Sequence, residues 1–460
     1  MRVAELGSRR VAIWGLGREG RAAIGFLRRQ HPGLPLVLLD DDADRQPPDG
    51  VDGKIEYAFG AERIARAVDD VDVIVKSPGV SLYRCEIQRA REQSIEVTSL
   101  LNLWFAEQFP VTTICVTGTK GKSTTASLLA DILTRLGRRV ALVGNIGVPI
   151  TEIGGTTAEF AIIEVSSYQA ADFSGLCDIA MLTSLYPEHL DWHLTVENYF
   201  RDKINLLIHS RCRIVNRDTA EVVGRVAADT TAALIFNDEA AIHAEGTHIF
   251  QADRLIGEIP NPYLSRPHNK SNLCAALTAA KSLGIDLPSA LDAVRDFRGL
   301  PHRQQELGEV DGILFVDDSI ATIPEATMAA LAVYQGRDIA VIVGGYDRGI
   351  EYNQLVETVV GGAAKAVICL GESGARICSL ARAAANPSSG RNCAIYQARS
   401  MAEAVSLARL ATSPGGVVLL SPAAPSYGYY RDYVERGDDF AAQAGLRRKP
   451  VESISHSPAV

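Results

Sequence analysis

Gly118-Thr-Lys-Gly-Lys-Ser-Thr124 is the stretch of this chain best suited to chemistry, because its glycines, lysines and hydroxyls are spaced to hold a phosphate. It follows the apolar run Thr112-Thr-Ile-Cys-Val116 and leads into Thr124-Thr-Ala-Ser-Leu-Leu-Ala, a good helix start. A strand entering glycines and then a helix turns several backbone N–H groups toward one anion. Lys122 can reach the outer phosphates, and the Ser123 hydroxyl can ligate magnesium. The spacing Gly118-x-x-Gly121-Lys122-Ser123 is shorter than the common Walker pattern. A glycine-rich turn without a ligand is the plain alternative. Thr119 belongs to the same loop, and Lys120 is either solvent-exposed or a second cation beside a transferring phosphate.

Glu164 ends the apolar segment Ala161-Ile-Ile-Glu164. A carboxylate at the end of a parallel strand can face a nucleotide crevice and hold magnesium, or it can cap the next helix. Beside a phosphate loop, metal ligation is the better choice. His189, in Tyr186-Pro-Glu-His-Leu-Asp191, is a metal ligand or a structural loop histidine. The two-histidine helical zinc signature is missing here, which argues against a zinc hydrolase. Lys203 reads by default as a surface lysine. The fork of Arg303 suits phosphate oxygens during transfer, or an interdomain salt bridge. Asn269 and Asn272 are nucleotide contacts or helix caps.

Such side chains need strands and helices to hold them. Val11-Ala-Ile-Trp14, the turn Gly15-Leu-Gly17-Arg18-Glu-Gly20, a helix through Phe26 and Leu27, and Pro35–Asp40 form a small doubly wound pattern. Val71–Val75 reads as the third strand, followed by Lys76-Ser77-Pro78-Gly79. A second block adds strands at Val140–Val143, Phe160–Val165 and Ile179–Thr183, giving a largely parallel sheet. A third block repeats the pattern at Ile313–Val316, Asp338–Val343, Ala366–Leu370 and Val417–Leu420. The fold class is therefore α/β, with domains expected at 1–105, 106–303 and 304–448 and a poorly ordered tail at 449–460.

Bulk properties agree with several cores in one chain. At 460 residues it exceeds the size of a single core. A formal charge of -9 offers no general attraction to nucleic acid, although a local basic pocket remains compatible with it. Eight scattered cysteines read as buried thiols rather than a disulfide framework. Neither a signal peptide nor a membrane-spanning run is evident, so a cytoplasmic location without stable membrane insertion is expected.

Taken in order, these segments resemble the Mur ligase family, and within it the enzymes that add glutamate to UDP-N-acetylmuramoyl-L-alanine. The likeness runs through Gly15-x-Gly17-x-x-Gly20, Thr117–Thr124, Gly144-Asn145-Ile-Gly147, Glu164-Val-Ser-Ser, Glu188-His189-Leu-Asp191 and Lys203. It continues through His268-Asn269-x-x-Asn272, Pro301-His-Arg303, Asp318-Ser319, Gly344-Gly345 and Ser421-Pro-Ala. The resemblance implies a Rossmann-like UDP-binding domain, a central ATPase-like domain and a Rossmann-like glutamate domain. The first uses Gly15, Gly17, Arg18, Gly20, Asp40, Ser77, Pro78 and Gly79 on the nucleotide substrate. Asp40 could instead meet a dinucleotide ribose, a reading the second phosphate loop disfavours.

The same resemblance assigns ATP to Gly118–Thr124, Asn269, Asn272, Arg303 and Asp318, and magnesium to Ser123, Glu164, His189 and a carbamylated Lys203. Asn145 would touch the nucleotide substrate, and Arg348, Ser426 and Tyr433 the glutamate. Lys122, Glu164, His189, Lys203 and Arg303 are the implied catalytic set. Two positions depart from the family pattern: Ile320 and Arg348 stand where glutamate-adding enzymes carry lysines. An altered pocket of this kind looks like the L-glutamate-adding branch, whose product a separate epimerase inverts. The implied enzyme is a monomer in peptidoglycan precursor synthesis. Competing readings are the ordinary D-glutamate ligase, a folylpolyglutamate synthase-like enzyme and a non-catalytic nucleotide-binding regulator.

Overall fold

The computed structural model describes residues 1–7, 9–48, 54–144, 149–153, 157–226, 233–297, 299–385 and 393–446. Asn145 and the tail at 449–460 lie outside the described residues. The chain forms two compact units, Met1–Phe297 and Arg298–Val460.

The first unit contains two sheets. One is parallel throughout, in the spatial order Ile55–Phe59, Leu36–Asp40, Val11–Trp14, Val73–Lys76, Glu96–Ser99. Its central strand is buried along its whole length, as a parallel strand with both faces covered must be. Strand order reverses on either side of Val11–Trp14, so a crevice opens at that strand's carboxyl end, where Gly15 and Ser77 stand. Val73–Lys76 is the fourth strand in the chain and not the third. Ile55–Phe59 precedes it, at the sheet edge, with Glu56 and Tyr57 exposed, and so lacks the continuous apolar run of its neighbours.

The second sheet runs Arg254–Glu258, His248–Gln251, Ile242–Glu245, Leu234–Phe236, Ser210–Asn216, Cys177–Leu182, Thr112–Thr117, Phe160–Glu164, Val140–Gly144. Its reversal falls at Thr112–Thr117, which pairs with Cys177–Leu182 on one side and Phe160–Glu164 on the other. The phosphate-loop candidate leaves that strand's carboxyl end. Helix Lys122–Arg135 follows and buries Leu128, Leu129, Ile132 and Leu133 against the sheet and helix Pro267–Ser282. The edge strands Ile242–Glu245, His248–Gln251 and Arg254–Glu258 are antiparallel, an extension the sequence reading did not foresee.

In the second unit the sheet order is Gln305–Val310, Ile313–Asp317, Val417–Leu420, Ile339–Val343, Ala366–Leu370, Ala394–Ala398. Only the first pair is antiparallel. Asp318, Gly344 and Ser421 directly follow three adjacent parallel strands, so their loops gather at one edge. All eight cysteines are free thiols. Among the described residues, no helix is long and apolar enough to cross a membrane.

Candidate functional site

Backbone geometry explains the glycines of the phosphate loop. Gly118 has φ +147° and Gly121 φ +88°, both in the region that a side chain disfavours. A Cβ on Gly118 would strike the Thr183 hydroxyl, and one on Gly121 the Asn272 side-chain oxygen. The loop is thereby packed against the strand end at Thr183 and the helix bearing Asn272. Thr183 Oγ1 donates to the Lys120 carbonyl at 2.6 Å, and Lys120 N–H donates to Ser184 Oγ at 2.8 Å. Helix Lys122–Arg135 begins at Gly121 without a side-chain cap. Its first-turn N–H groups are the orphan donors an anion can satisfy.

Two lysines converge on this loop. Lys122 Nζ donates to the Gly118 and Thr119 carbonyls at 2.9 and 3.1 Å. Lys203 Nζ donates to the same Gly118 oxygen at 2.9 Å. Lys203 is only 2% exposed, which overturns its default reading as a surface lysine. Helix Val196–Ile208 turns it inward because Tyr199, Lys203, Ile204 and Leu207 share its buried face. Burial, and after it the charge of Lys122, pushes the Lys203 amine well below the usual lysine range. A neutral amine is the form that can add carbon dioxide, whereas an ammonium cannot.

Glu164 lies beside Val116 in the parallel register, next to the strand that feeds the loop, and is 2% exposed. It does not cap the following helix. Ser166 does, in a reciprocal capping box with Gln169. Asn269 and Asn272 likewise are not caps, since both lie inside helix Pro267–Ser282, whose N-cap is Arg266. Asn269 donates to the Tyr263 carbonyl at 2.9 Å, and Thr125 Oγ1 donates to Asn272 Oδ1 at 3.3 Å.

His189 takes a left-handed conformation with φ +56° and remains about half exposed. Burial, followed by the cations Lys203 and Lys122, holds its imidazole below the ordinary value against the opposing pull of Glu188 and Asp191. Lys120 is solvent-exposed, as one of its two readings has it, and pairs with Glu188 at 2.7 Å. Among the described residues, no three His, Cys, Asp or Glu side chains form a metal cage by themselves. The donor chemistry nevertheless fits magnesium, a hard ion that takes a hydroxyl and one or two carboxylates alongside substrate phosphates. Ser123 and Glu164 could supply such oxygens, and a carbamate on Lys203 would add more.

A buried network beside this site lies outside the residues that sequence pattern singles out. His193 is fully buried, with Nδ1 2.7 Å from Asp202 Oδ2 and Nε2 3.0 Å from Ser167 Oγ. The Tyr83 hydroxyl reaches both Asp202 oxygens at 2.9 Å, and Ser81 Oγ donates to the Trp192 carbonyl at 2.8 Å. The segment after Gly79 is thus tied to the helix that carries Lys203. A second histidine four residues after His189, and an aspartate beside Lys203, were the available signals. Lys76 and Asp172 form another buried ion pair at 3.1 Å, close in distance but not aligned as a hydrogen bond.

At the first sheet's crevice, Gly15 has φ +90°, and Ser77 Oγ donates to its carbonyl at 2.6 Å. A Cβ on Gly20 would strike that same carbonyl, which explains the close helix–turn packing. Gly17 caps helix Arg18–Gln30. Asp40 accepts from Leu16 N–H at 2.9 Å and from Asp42 N–H at 3.2 Å, so one role is to shape its own loop. Arg18 Nη2 donates to the Gly144 carbonyl at 3.3 Å. Pro78 accepts from the Trp192 indole at 3.0 Å.

In the second unit, Asp318 is buried and accepts from Ser421 Oγ at 2.8 Å and Gln304 N–H at 3.1 Å. Burial pushes its carboxyl up to about 7, while the two hydrogen bonds and then Arg303 pull the other way. Between the unfolded value near 3.8 and about 7, the native form holds a proton that the unfolded chain has released. Stability from this group is therefore greatest in acid and is lost as pH rises through 7. We expect Asp318→Asn to gain on wild type between pH 5.5 and 8, read as the difference in urea midpoints. Asn cannot accept both donors equally well, so the change of that difference with pH is the readout. A constant difference would contradict the raised carboxyl.

Arg348 is exposed and donates to the Thr322 carbonyl at 2.7 Å, so its loop lies against the Asp318–Thr322 turn. Ser426 is buried, with its carbonyl accepting from Tyr430 N–H at 3.0 Å. Tyr433 is partly exposed and meets the His302 ring edge-on at 5.6 Å. Ile320, Arg348 and Ser426 thus belong to the loops that gather at the carboxyl ends of the second unit's parallel strands, Tyr433 starts the helix that follows, and Arg303 and Asp318 flank the start of the same region.

Three family models match the chain. Residues 9–99 match the Mur ligase MurD-like N-terminal domain, 116–280 the Mur ligase middle domain and 302–424 the Mur ligase glutamate ligase domain. A protein of Xanthomonas euvesicatoria pv. vesicatoria named UDP-N-acetylmuramoyl-L-alanine--L-glutamate ligase is 38% identical, over 99% of each chain. One of the same name from Salinispora tropica is 38% identical over 96% of this chain and 98% of its own. Among solved structures, UDP-N-acetylmuramate-alanine ligase MurC of Thermotoga maritima aligns with TM-score 0.56 at 17% identity, covering 95% of this chain and 99% of that one. A MurF ligase of Thermotoga maritima in complex with ADP aligns with TM-score 0.53 at 16% identity, covering 96% of each. At such identities the two structures speak for the fold.

Proposed function

The chain belongs to the Mur ligase family, and from that premise we propose that it joins L-glutamate to UDP-N-acetylmuramoyl-L-alanine using ATP. The observation that carries this reading is the near full-length match to relatives named for L-glutamate. Ile320 and Arg348 support it, because they change the charge and shape of the loops assigned to the acceptor. Three domains divide near 105 and 303, and the enzyme works as a cytoplasmic monomer in peptidoglycan precursor synthesis. A separate epimerase inverts the product.

In the proposed reaction the alanyl carboxylate attacks the γ-phosphorus of ATP. An acyl phosphate forms as the bond to the ADP oxygen breaks. The neutral amine of glutamate then attacks the acyl carbon, making the amide, releasing phosphate and losing a proton. The N–H groups of Gly118–Thr124 orient the phosphates, and Lys122 and Arg303 offset the charge that moves during transfer. Ser123, Glu164, His189 and a carbamylated Lys203 would hold magnesium, which would supply neutralising charge during phosphoryl transfer. Asn269, Asn272 and Asp318 bind the rest of ATP. Gly15, Gly17, Arg18, Gly20, Asp40, Ser77, Pro78, Gly79 and Asn145 bind the nucleotide sugar, and Arg348, Ser426 and Tyr433 bind glutamate.

Side-by-side assays with the two glutamate enantiomers test the assignment. We expect ADP release and product formation with L-glutamate, at least about tenfold more efficient in kcat/KM than with D-glutamate. Strong D-glutamate turnover with negligible L-glutamate activity would return the enzyme to the D-adding branch. ATP binding without substrate-dependent ADP release would favour a regulator instead.

A further inference from the structure

Arg436 lies on helix Tyr433–Gln443 and is 2% exposed, one of the largest side chains to be so completely buried. Its Nε donates to Ser319 Oγ at 3.0 Å and its Nη2 to the Ser319 carbonyl at 2.8 Å. The Ser319 hydroxyl in turn donates to the Tyr433 carbonyl at 2.8 Å, and Ser319 N–H donates to Asp317 Oδ1 at 2.9 Å. The remaining nitrogen, Nη1, makes no hydrogen bond among the described residues. It is packed 3.0 Å from where a Cβ on Gly345 would stand, and that Cβ would also collide with the Pro425 carbonyl. Tyr346 N–H donates to the same Pro425 carbonyl at 2.9 Å.

One guanidinium therefore sits where three loops meet. These are the Asp318–Ile320 turn, the Gly344–Arg348 turn and the segment from Ser421 to Tyr433. A buried cation with a donor left over is costly, and an apolar side chain of similar volume would fill the space at less expense. The planar fork does what an apolar group cannot, because it fixes both oxygens of one residue at a set angle. Each of the three loops carries a residue assigned to the acceptor or a departure beside it: Ile320, Arg348, Ser426 with Tyr433.

We propose that Arg436, acting through Ser319, is a positioning residue that sets the glutamate pocket and its preference between enantiomers. Arg436 touches no substrate in this scheme. The proposal rests on the L-glutamate ligase reading above and concerns only the acceptor half-reaction.

The test uses the full chain with Arg436→Lys and, as a gentler variant, Ser319→Ala. Lysine keeps the charge but loses the fork. Steady-state kinetics are measured for ATP, for UDP-N-acetylmuramoyl-L-alanine and for each glutamate enantiomer. Acyl phosphate formation is followed separately, as ADP release with hydroxylamine replacing glutamate as the trapping amine. For Arg436→Lys we expect KM for L-glutamate to rise about tenfold or more, with the preference between enantiomers narrowed. Ser319→Ala should move both in the same direction by less. The KM values for ATP and the nucleotide sugar, and hydroxylamine-trapped ADP release, should stay within about twofold of wild type.

Equal losses in trapped and glutamate-dependent turnover, with KM for glutamate unchanged, would reduce Arg436 to a structural role and overturn the proposal. If Arg436→Lys does not fold, Ser319→Ala decides alone, and an unchanged KM for L-glutamate in it overturns the proposal. Failure of the underlying function is distinguishable, because wild type itself would then turn over D-glutamate with negligible L-glutamate activity, or neither enantiomer.

Discussion

Lys203→Ala is expected to lose at least about a thousandfold in glutamate-dependent ADP release, equivalent to roughly 4 kcal/mol of transition-state stabilisation. The expectation follows from where the amine is. It is buried, shares the Gly118 carbonyl with Lys122, and is pushed well below the usual lysine range by desolvation and by its cationic neighbour. That shift favours the neutral amine, the form from which a carbamate is made as the nitrogen bonds to the carbon of carbon dioxide and a proton is released. The product is an anion next to a phosphate loop and Lys122, where a second carboxylate-like group can complete the oxygen donors of Ser123 and Glu164. Lys203→Arg should lose as much, since it restores charge but cannot form the carbamate. Carbon-13 NMR under labelled carbon dioxide supplies an independent readout. Wild type should show one carbamate carbonyl resonance that is missing from both variants. Full activity in Lys203→Arg, or a resonance that survives there, would remove this lysine from the proposed chemistry.

Lys122→Ala should be comparably damaging, by about a thousandfold in kcat. Removing the side chain takes a cation away from the loop proposed to hold the phosphates. It also acts at a distance, because Lys122 is the largest charge-based cause of the depressed Lys203 amine. Without it the ammonium form gains ground, less neutral amine is available, and the carbamate resonance should weaken. The two lysines are therefore coupled, and the double variant should lose much less than the product of the single losses. UDP binding should remain within about threefold by calorimetry, because the Gly15 turn is built on a different sheet with its own hydrogen bonds. Multiplicative losses, or unchanged turnover in Lys122→Ala, would contradict the shared-site geometry.

Features whose signal is local are legible in the sequence. Strand Val417–Leu420 is a short, wholly apolar run, and the phosphate loop is contiguous from strand to helix. Such features are legible because backbone dihedrals, glycine conformations and apolar runs are properties of neighbouring residues. The edge strands Ile242–Glu258 carry mixed exposure and weak alternation, so their antiparallel pairing was not visible beforehand.

By itself, then, the sequence determined the α/β class, the strand, glycine turn and helix from Thr112 to Arg135, the family motifs, and the unusual residues Ile320 and Arg348. The tertiary structure decided what those residues experience. Lys203 reads as a surface lysine until the Gly118 carbonyl, 85 positions away, is brought to it. Arg436 reads as one more helix arginine until Ser319, 117 positions away, meets it in a buried layer. His193 becomes part of a network only when Ser167 and Asp202 close around it. The physical reason is common to all three. Desolvation and hydrogen-bond geometry depend on atoms that the chain brings together only by folding, and no spacing along the sequence encodes them.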